Sequence, residues 1–126
     1  RPDISIELST DCDDSICTSK DALAWTSALF NILDNAADAS YAAQNPRLQL
    51  QLQLQQQQLS LQIRDFGTGL SADELRNLGK VPQHSEQGLG LGQFLANVSL
   101  ERLGARLTRE NAATGGLITR IIYKAN

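Results

Sequence analysis

The sequence predicts an α+β fold, a two-layer sandwich whose mixed, mostly antiparallel sheet of about five strands is covered on one face by about three helices. Three observations predict it: a glutamine–leucine hairpin in mid-chain, a long helical pattern before it, and strand-like alternation near both ends. At 126 residues the chain suits a single domain, residues 1–126. Because it contains no Met, we expect a domain excised from a longer protein.

The first strand and the first helix follow one another near the amino terminus. Residues 4–8 alternate apolar and polar side chains and predict a half-buried strand. Residues 9–20 are polar and predict a loop, with room for a short strand at 15–17. From residue 21 to about 43 the period becomes helical, with Ser19 and Asp21 as alternative caps at its start. Asn45 and Pro46 end this helix.

The hairpin at residues 48–63 is the clearest strand signal. Leucine alternates with glutamine up to a turn at 55–58, and the apolar side chains alternate again after it. Every leucine then lies on one face of the sheet and the glutamines on the other. The glutamines could also be a low-complexity aggregation tract, but alternation this regular favours a solvated outer face.

The second half of the chain predicts a short helix, a longer helix and a closing hairpin. The short helix begins at Ser71 with acidic residues in its first turn, runs to Leu78 and stops at Gly79. After a loop from 80 to about 90, a second long helix covers 91–103, and Gly104 ends it. Residues 105–109 and 117–124 predict the last two strands, on either side of a turn at 111–116.

Composition excludes several classes of protein. The net charge of −3 speaks against a nucleic-acid platform held by bulk charge, so no nucleic-acid partner is expected. No apolar run approaches the roughly 20 residues of a membrane span. Cys12 and Cys17 are too few for a disulfide framework and are interpreted as reduced thiols. A single His speaks against His-based metal sites and most His-dependent catalysis within this chain.

A polar stripe on the first long helix is the first candidate site. Four polar side chains lie on one face of the helix at about 100° per residue: Ser27, Asn31, Asn35 and Asp38. Any amphipathic helix has a polar face, which is the simpler interpretation. However, exposed helix faces usually carry Lys, Glu and Arg, and Asn is a poor helix former. Amide and carboxylate oxygens suit Mg²⁺, which takes its other ligands from water and phosphates.

The second candidate is the segment after the hairpin, Asp65-Phe66-Gly67-Thr68-Gly69-Leu70. An acidic residue at the end of a strand, followed by two glycines, places a carboxylate where the backbone can approach a ligand closely. A buried carboxylate there can accept a hydrogen bond from an exocyclic amine, as on adenine. A simple glycine-rich turn remains the alternative, since a short motif of this kind is a weak signal alone.

The third candidate is Gly88-Leu89-Gly90-Leu91-Gly92, which leads into the second long helix. Glycines let backbone amides face an anion, and a helix N-terminus adds its dipole. The spacing is that of neither a dinucleotide fingerprint nor a Walker loop. Lys80 is the nearest lysine and a candidate phosphate contact.

In this order the three segments resemble the GHKL ATP-binding superfamily, which has the Bergerat fold. Within it the resemblance is to the catalytic and ATP-binding domain of bacterial sensor histidine kinases. Residues 31–39 resemble the N box, 65–69 the first glycine box and 88–92 the second. The resemblance spans essentially the whole chain.

The resemblance implies a role for each matching residue. Asn31 and Asn35 are implied as catalytic, with Asn35 as the Mg²⁺ ligand. Asp65 is implied to receive the adenine amino group. The glycines of the two boxes are implied to shape the base pocket and to wrap the phosphates. The implied ATP-binding set is Asn35, Asp38, Asp65, Gly67, Gly69, Leu70, Gly88, Leu89, Gly90, Leu91 and Gly92.

The resemblance also implies phosphoryl transfer rather than hydrolysis. Hydrolytic members carry a Glu four residues before the metal-binding Asn, where this chain has Asn31, which cannot act as a general base. The implied activity is that of a protein-histidine kinase with ATP and Mg²⁺ as cofactors. The acceptor His is expected on a separate dimerisation domain of the same protein, and a response regulator then takes the phosphoryl group. His84 is interpreted as a loop residue, so the isolated domain is not expected to autophosphorylate.

Further expectations concern the whole protein and the alternatives. The full-length protein is expected to be a homodimer and the isolated domain a monomer. The domain is expected to be cytoplasmic and to belong to a sensor kinase anchored at the inner membrane. One alternative is a serine/threonine protein kinase of the anti-sigma-factor type. Another is a degenerate GHKL domain acting as an interaction module, because residues 81–85 replace the usual phenylalanine-bearing lid motif. A hydrolytic ATPase is the least favoured.

Overall fold

The protein is a five-stranded sheet with helices packed on one face. The computed structural model describes residues 3–19, 21–77 and 89–124. Their elements are β1 (Ser5–Cys12), α1 (Ala22–Ala42), β2 (Arg47–Gln55), β3 (Gln58–Asp65), α2 (Ala72–Asn77), α3 (Leu89–Arg102), β4 (Arg106–Asn111) and β5 (Leu117–Lys124). The sheet order is β1-β2-β3-β5-β4, with β1 parallel to β2 and the other pairs antiparallel. The predicted α+β sandwich is confirmed.

The β2–β3 hairpin has the predicted two-faced pattern. Leu50 pairs with Ile63 and Gln51 with Gln62. Apolar side chains thus oppose apolar ones, except where Leu48 pairs with Asp65, and glutamines oppose polar residues. The turn consists of Gln56 and Gln57, whose φ angles are 53° and 67°. Two residues with positive φ match the right-handed twist of the flanking strands. The apolar face of the hairpin lies under α1.

The core lies between the sheet and two helices. α1 packs over β2 and β3 and alongside α3, which packs on β4. Asp21 is the N-cap of α1, since its carboxylate accepts a hydrogen bond from the N–H of Ala24 at 3.0 Å. Ser19 instead accepts a hydrogen bond from the indole N–H of Trp25 at 2.7 Å. The buried apolar residues are Ala28, Ile32, Ala36, Ala37, Leu48, Ile63, Ala96, Leu100, Ala105 and Ile121.

Strand β1 differs from its prediction in length and in burial. It continues to Cys12, so the predicted loop at 9–12 is wrong, and residues 15–17 form no strand. Its whole length is exposed, including 56% of Ile6 and 61% of Leu8, so the half-buried interpretation is also wrong. Backbone pairing with β2 continues to Cys12, and backbone hydrogen bonds of this kind do not depend on the side chains of the strand. Exposure follows from its place at the edge of the sheet, beside the strands that α1 covers.

The elements after the hairpin follow the prediction with shifted ends. Ser71 and Glu74 form a capping box at the start of α2, in which each side chain accepts a hydrogen bond from the other residue's N–H. α3 begins at Leu89 rather than at 91, and Gly104, with φ +90°, ends it as predicted. β4 reaches Asn111, two residues beyond its predicted end.

Two absences hold for the described ranges 3–19, 21–77 and 89–124. No helix there is long and apolar enough to cross a membrane. No three His, Cys, Asp or Glu side chains there are grouped as a metal site would need. Cys12 is exposed and Cys17 part-buried, and both are free thiols.

Candidate functional site

The Asp65 carboxylate is the centre of the candidate site. Asp65 is the last residue of β3, in the middle strand of the sheet, and is only 4% exposed. Its Oδ1 accepts hydrogen bonds from the backbone N–H of Gly67 and of Leu117, both at 3.0 Å. Oδ2 accepts none from the part of the chain that the structure describes. The hydrogen bonds to Oδ1 therefore hold the carboxylate in place, and Oδ2 can accept a hydrogen bond from a ligand.

Burial and hydrogen bonding shift the pKa of the Asp65 carboxyl in opposite directions. Desolvation raises the pKa of the carboxyl, while the two backbone N–H groups and the nearby Arg64 guanidinium lower it, and burial dominates. Burying an ionisable carboxyl costs free energy, and an aspartate that served only as a polar turn residue would not need to be buried. Perturbed pKa values cluster at functional sites.

The end of α1 fixes the backbone that follows Asp65. Ser40, which is fully buried, accepts a hydrogen bond from the N–H of Phe66 at 2.8 Å. A Cβ on Gly67 would lie 3.0 Å from the Cβ of Ala39, so glycine allows this close packing. On its other side, the Phe66 ring lies 4.4 Å from the Arg47 guanidinium and 4.6 Å from that of Arg64. The backbone at 66–67 is thus anchored from two directions.

We expect Ser40→Ala to lower the free energy of unfolding by about 1–3 kcal/mol, because the Phe66 N–H then loses its acceptor. Chemical denaturation of the two proteins measures the difference. Thr26→Ala is the matched control, since Thr26 is also a hydroxyl residue of α1 but is exposed and bonds only to the Ala22 carbonyl. An equal loss in both variants would contradict a special role of Ser40.

The asparagines of α1 lie part-buried rather than on a fully solvated face. Asn31, Asn35 and Asp38 are all half-buried, whereas Ser27 is exposed. The Asn35 Nδ2 is buried without a hydrogen-bond partner among the described residues. Such a group costs about 1–3 kcal/mol. An unsatisfied amide donor fits a side chain that donates to an acceptor on a ligand, such as a phosphate oxygen, while the carboxamide oxygen is the atom that Mg²⁺ would take.

Gly69 and Leu70 form the far end of the same segment. Gly69 has a φ of +78°, which side chains rarely adopt, and its carbonyl-side neighbour Leu70 is part-buried. Both backbone groups of Leu70 are bonded to Asn111, whose Oδ1 accepts from the N–H at 2.9 Å and whose Nδ2 donates to the C=O at 2.7 Å. The structure therefore brings the predicted residues 65–70 together with the last hairpin.

The glycine-rich segment at 88–92 is described only in part. Its residues 89–92 form the first turn of α3, which packs alongside the asparagine-bearing helix α1. A helix start there is consistent with the predicted anion site. Gly88, Lys80, His84 and the altered lid motif at 81–85 lie outside the described residues, as does the predicted stop at Gly79.

Three residues that hold the segment after β3 were missed from the sequence, namely Ser40, Asn111 and Gly116, and so was a charged residue on the same sheet face, Arg109. Arg109 pairs with the buried Thr119, on the sheet face that also carries Asp65. Burial lowers the pKa of its guanidinium to about 10, so it remains a cation at neutral pH. The signal that could have found it is a charged residue at an inward-facing position of the last hairpin. Ser40 and Asn111 carried no local signal.

The chain is similar to known ATP-binding proteins in both sequence and fold. Residues 20–125 match the model of a family described as histidine kinase-, DNA gyrase B-, and HSP90-like ATPase. A mycobacterial sensor histidine kinase, MprB, is similar with a TM-score of 0.73 and 24% identity, over 94% of this chain and 80% of that one. The catalytic domain of histidine kinase ThkA has a TM-score of 0.74 and 15% identity, over 94% of this chain and 78% of that one. No curated protein gives a significant match.

Proposed function

The chain belongs to the family of histidine kinase-, DNA gyrase B- and HSP90-like ATPases, and on that premise we propose that it is the ATP-binding catalytic domain of a sensor histidine kinase. It binds MgATP and gives the γ-phosphoryl group to a His on a separate dimerisation domain. A response regulator then receives that group on an aspartate. The bound nucleotide supplies the phosphoryl group, and Mg²⁺ supplies the positive charge that neutralises it.

The Asp65 carboxylate is the observation that carries this proposal. An ionised carboxylate only accepts hydrogen bonds. With Oδ1 held by the N–H groups of Gly67 and Leu117, Oδ2 is left to accept from the exocyclic amine of adenine. A guanine presents a carbonyl oxygen at that position and would be repelled. The site therefore favours adenine nucleotides.

The residues proposed for the metal lie on α1, and those proposed for the phosphates are the glycines of the segment 88–92, of which residues 89–92 begin α3. Asn35 would hold Mg²⁺ through its carboxamide oxygen, with Asn31 one turn earlier on the same face. The backbone N–H groups of Gly88, Gly90 and Gly92 would receive the phosphates. The positive end of the α3 dipole favours negative charge there.

Transfer is favoured over hydrolysis by the chemistry of Asn31. A carboxamide cannot take a proton from water at neutral pH, so water at this position is not activated. Phosphoryl transfer to an incoming side chain depends mainly on positioning and charge neutralisation. A site that binds MgATP without a general base therefore suits a kinase domain whose acceptor arrives on another domain.

We expect Asn35→Ala to remove the gain in nucleotide affinity that Mg²⁺ provides, while affinity without Mg²⁺ stays within about twofold of wild type. Calorimetric titration with a non-hydrolysable ATP analogue, with Mg²⁺ and with chelator, measures both values. Ser27→Ala is the control, because Ser27 lies on the same helix face but is exposed. An equal Mg²⁺ effect in Asn35→Ala and wild type would contradict the metal assignment.

We expect the domain alone to acquire no phosphate from γ-labelled ATP, and to label a His-bearing dimerisation domain of the same protein when the two are mixed. Autoradiography after electrophoresis detects the label, and its acid lability identifies a phosphohistidine. Label on the isolated domain would contradict the division between ATP-binding and acceptor domains. Label on a serine or threonine substrate would favour the alternative kinase class.

A further inference from the structure

The Asn111 carboxamide makes a two-point contact with the backbone of another segment. Asn111 is the last residue of β4 and pairs with Leu117 of β5. Its Oδ1 accepts from the Leu70 N–H at 2.9 Å, and its Nδ2 donates to the Leu70 C=O at 2.7 Å. A carboxamide carries the same donor and acceptor as a peptide unit. Asn111 therefore bonds Leu70 as a neighbouring β-strand would, at a point where β3 has already ended.

Gly69 makes this contact possible. A Cβ on Gly69 would lie 2.8 Å from the Asn111 Oδ1, closer than side-chain carbons approach other atoms. The φ of +78° at Gly69 also turns the chain so that Leu70 presents both backbone groups to Asn111. The second glycine of the Asp-x-Gly-x-Gly segment and the asparagine of the distant hairpin are thus one structural unit.

The same hairpin also holds the beginning of the segment. The N–H of Leu117 donates to the Asp65 Oδ1, and the Arg64 guanidinium donates to the Thr114 hydroxyl at 2.6 Å and to the Gly115 carbonyl at 3.2 Å. Residues 65–70 are therefore fastened to the β4–β5 hairpin at both ends. Between those ends lie the glycines that the proposed adenine pocket needs.

We propose that Asn111 is a positioning residue for nucleotide binding, fixing residues 66–70 against the last hairpin in the conformation that receives the base. This inference rests on the proposed function, since it concerns the same pocket. Asn111 does not touch the nucleotide; it acts through the backbone of Leu70. Without it, the segment after Gly67 samples other conformations, and binding must first order it again.

The test compares Asn111→Asp and Asn111→Ala with wild type. Asp has nearly the same volume and can still accept from the Leu70 N–H, but it turns an acceptor towards the Leu70 C=O. Loss of one or both hydrogen bonds to Leu70 predicts an affinity for the non-hydrolysable ATP analogue about tenfold weaker. Amide hydrogen exchange at Leu70 should become faster, while that at Leu117 stays protected.

Thr108→Ala is the matched control, because Thr108 lies on β4 but pairs with Arg120 on the opposite face of the sheet. Its affinity and its exchange at Leu70 should equal those of wild type. Affinity within twofold of wild type in either Asn111 variant, alongside faster exchange at Leu70, would make the contact purely structural and overturn the proposal. A variant without a cooperative unfolding transition would also count against it, since the effect is assigned to residues 66–70 and not to the core.

The test separates this inference from the function on which it rests. If wild type itself binds no adenine nucleotide, the proposed function fails. If wild type binds and the Asn111 variants bind equally well, only the positioning role fails.

Discussion

Asp65→Asn should bind adenine nucleotides about 100-fold more weakly than wild type and yet unfold at a higher temperature at neutral pH. The carboxamide Oδ1 can still accept from the N–H groups of Gly67 and Leu117. Its Nδ2 replaces the Oδ2 that would accept from adenine, so two donors then face each other. Losing a charge-assisted hydrogen bond of about 1.5–3 kcal/mol corresponds to a 10- to 150-fold weaker affinity.

The gain in stability follows from the direction of the pKa shift. Burial raises the pKa of Asp65 in the folded state, so folding disfavours the ionised form. That cost is present above the folded-state pKa and disappears as the pH falls through it. Asp65→Asn removes the cost, so its advantage over wild type should be present at neutral pH and shrink in acid. Thermal unfolding across a pH series measures this difference.

The pH dependence of binding supplies the control. In wild type, affinity should fall as the pH drops through the raised pKa of Asp65, because a protonated carboxyl turns a donor towards the base. In Asp65→Asn, the part of the pH dependence that comes from residue 65 is absent, and only the titration of the nucleotide and of other groups remains. A variant that binds as tightly as wild type, or that is less stable at neutral pH, would show that Asp65 is a structural residue.

Gly116→Ala should lower the free energy of unfolding by about 3–5 kcal/mol, a large share of the roughly 5–15 kcal/mol of a typical domain. A Cβ there would lie 2.1 Å from the Asp65 carbonyl oxygen and 3.2 Å from the Phe66 Cα. Both are backbone atoms that cannot move aside, so the hairpin must shift. The φ of +88° adds the strain of a left-handed conformation, about 1–2 kcal/mol.

Gly115→Ala is the control that isolates the contact. Gly115 has a φ of +107°, and a Cβ there would meet no atom within 4 Å, so this variant carries only the conformational cost. Denaturant titration of both variants should give a loss about 2 kcal/mol larger for Gly116→Ala. Nucleotide affinity should fall in that variant alone, because the shift displaces the Leu117 N–H from Asp65. Equal losses of stability in the two variants would contradict the close packing of the hairpin on Asp65.

Local patterns predicted the elements whose partners are close in sequence. The alternation of leucine and glutamine predicted β2 and β3, which pair across a two-residue turn. The N-cap at Asp21 and the end of α3 at Gly104 depend on residues within one helical turn. In each case the hydrogen bonds that form the element join neighbours along the chain, so the pattern contains the information.

Contacts between residues that are far apart along the chain were not predicted from the sequence. Asn111 bonds Leu70 across 41 residues, and Ser40 bonds Phe66 across 26. Neither residue belongs to a motif, and each is an ordinary polar residue in its own element. The length of β1 was missed for the same reason, because its last residues pair with β2 and not with anything nearby.

The sequence by itself determined the fold class, the family resemblance and the three segments proposed to bind ATP, because residue type and local order carry those features. Only the tertiary structure decided how the middle segment is held. Asp65 receives the Leu117 N–H across 52 residues, and Leu70 is bonded to Asn111 at the end of β4. Sheet pairing brings the last hairpin beside the end of β3, and in each of these contacts one partner is a backbone group, which is the same in every residue type. Their meeting is therefore invisible until the chain has folded.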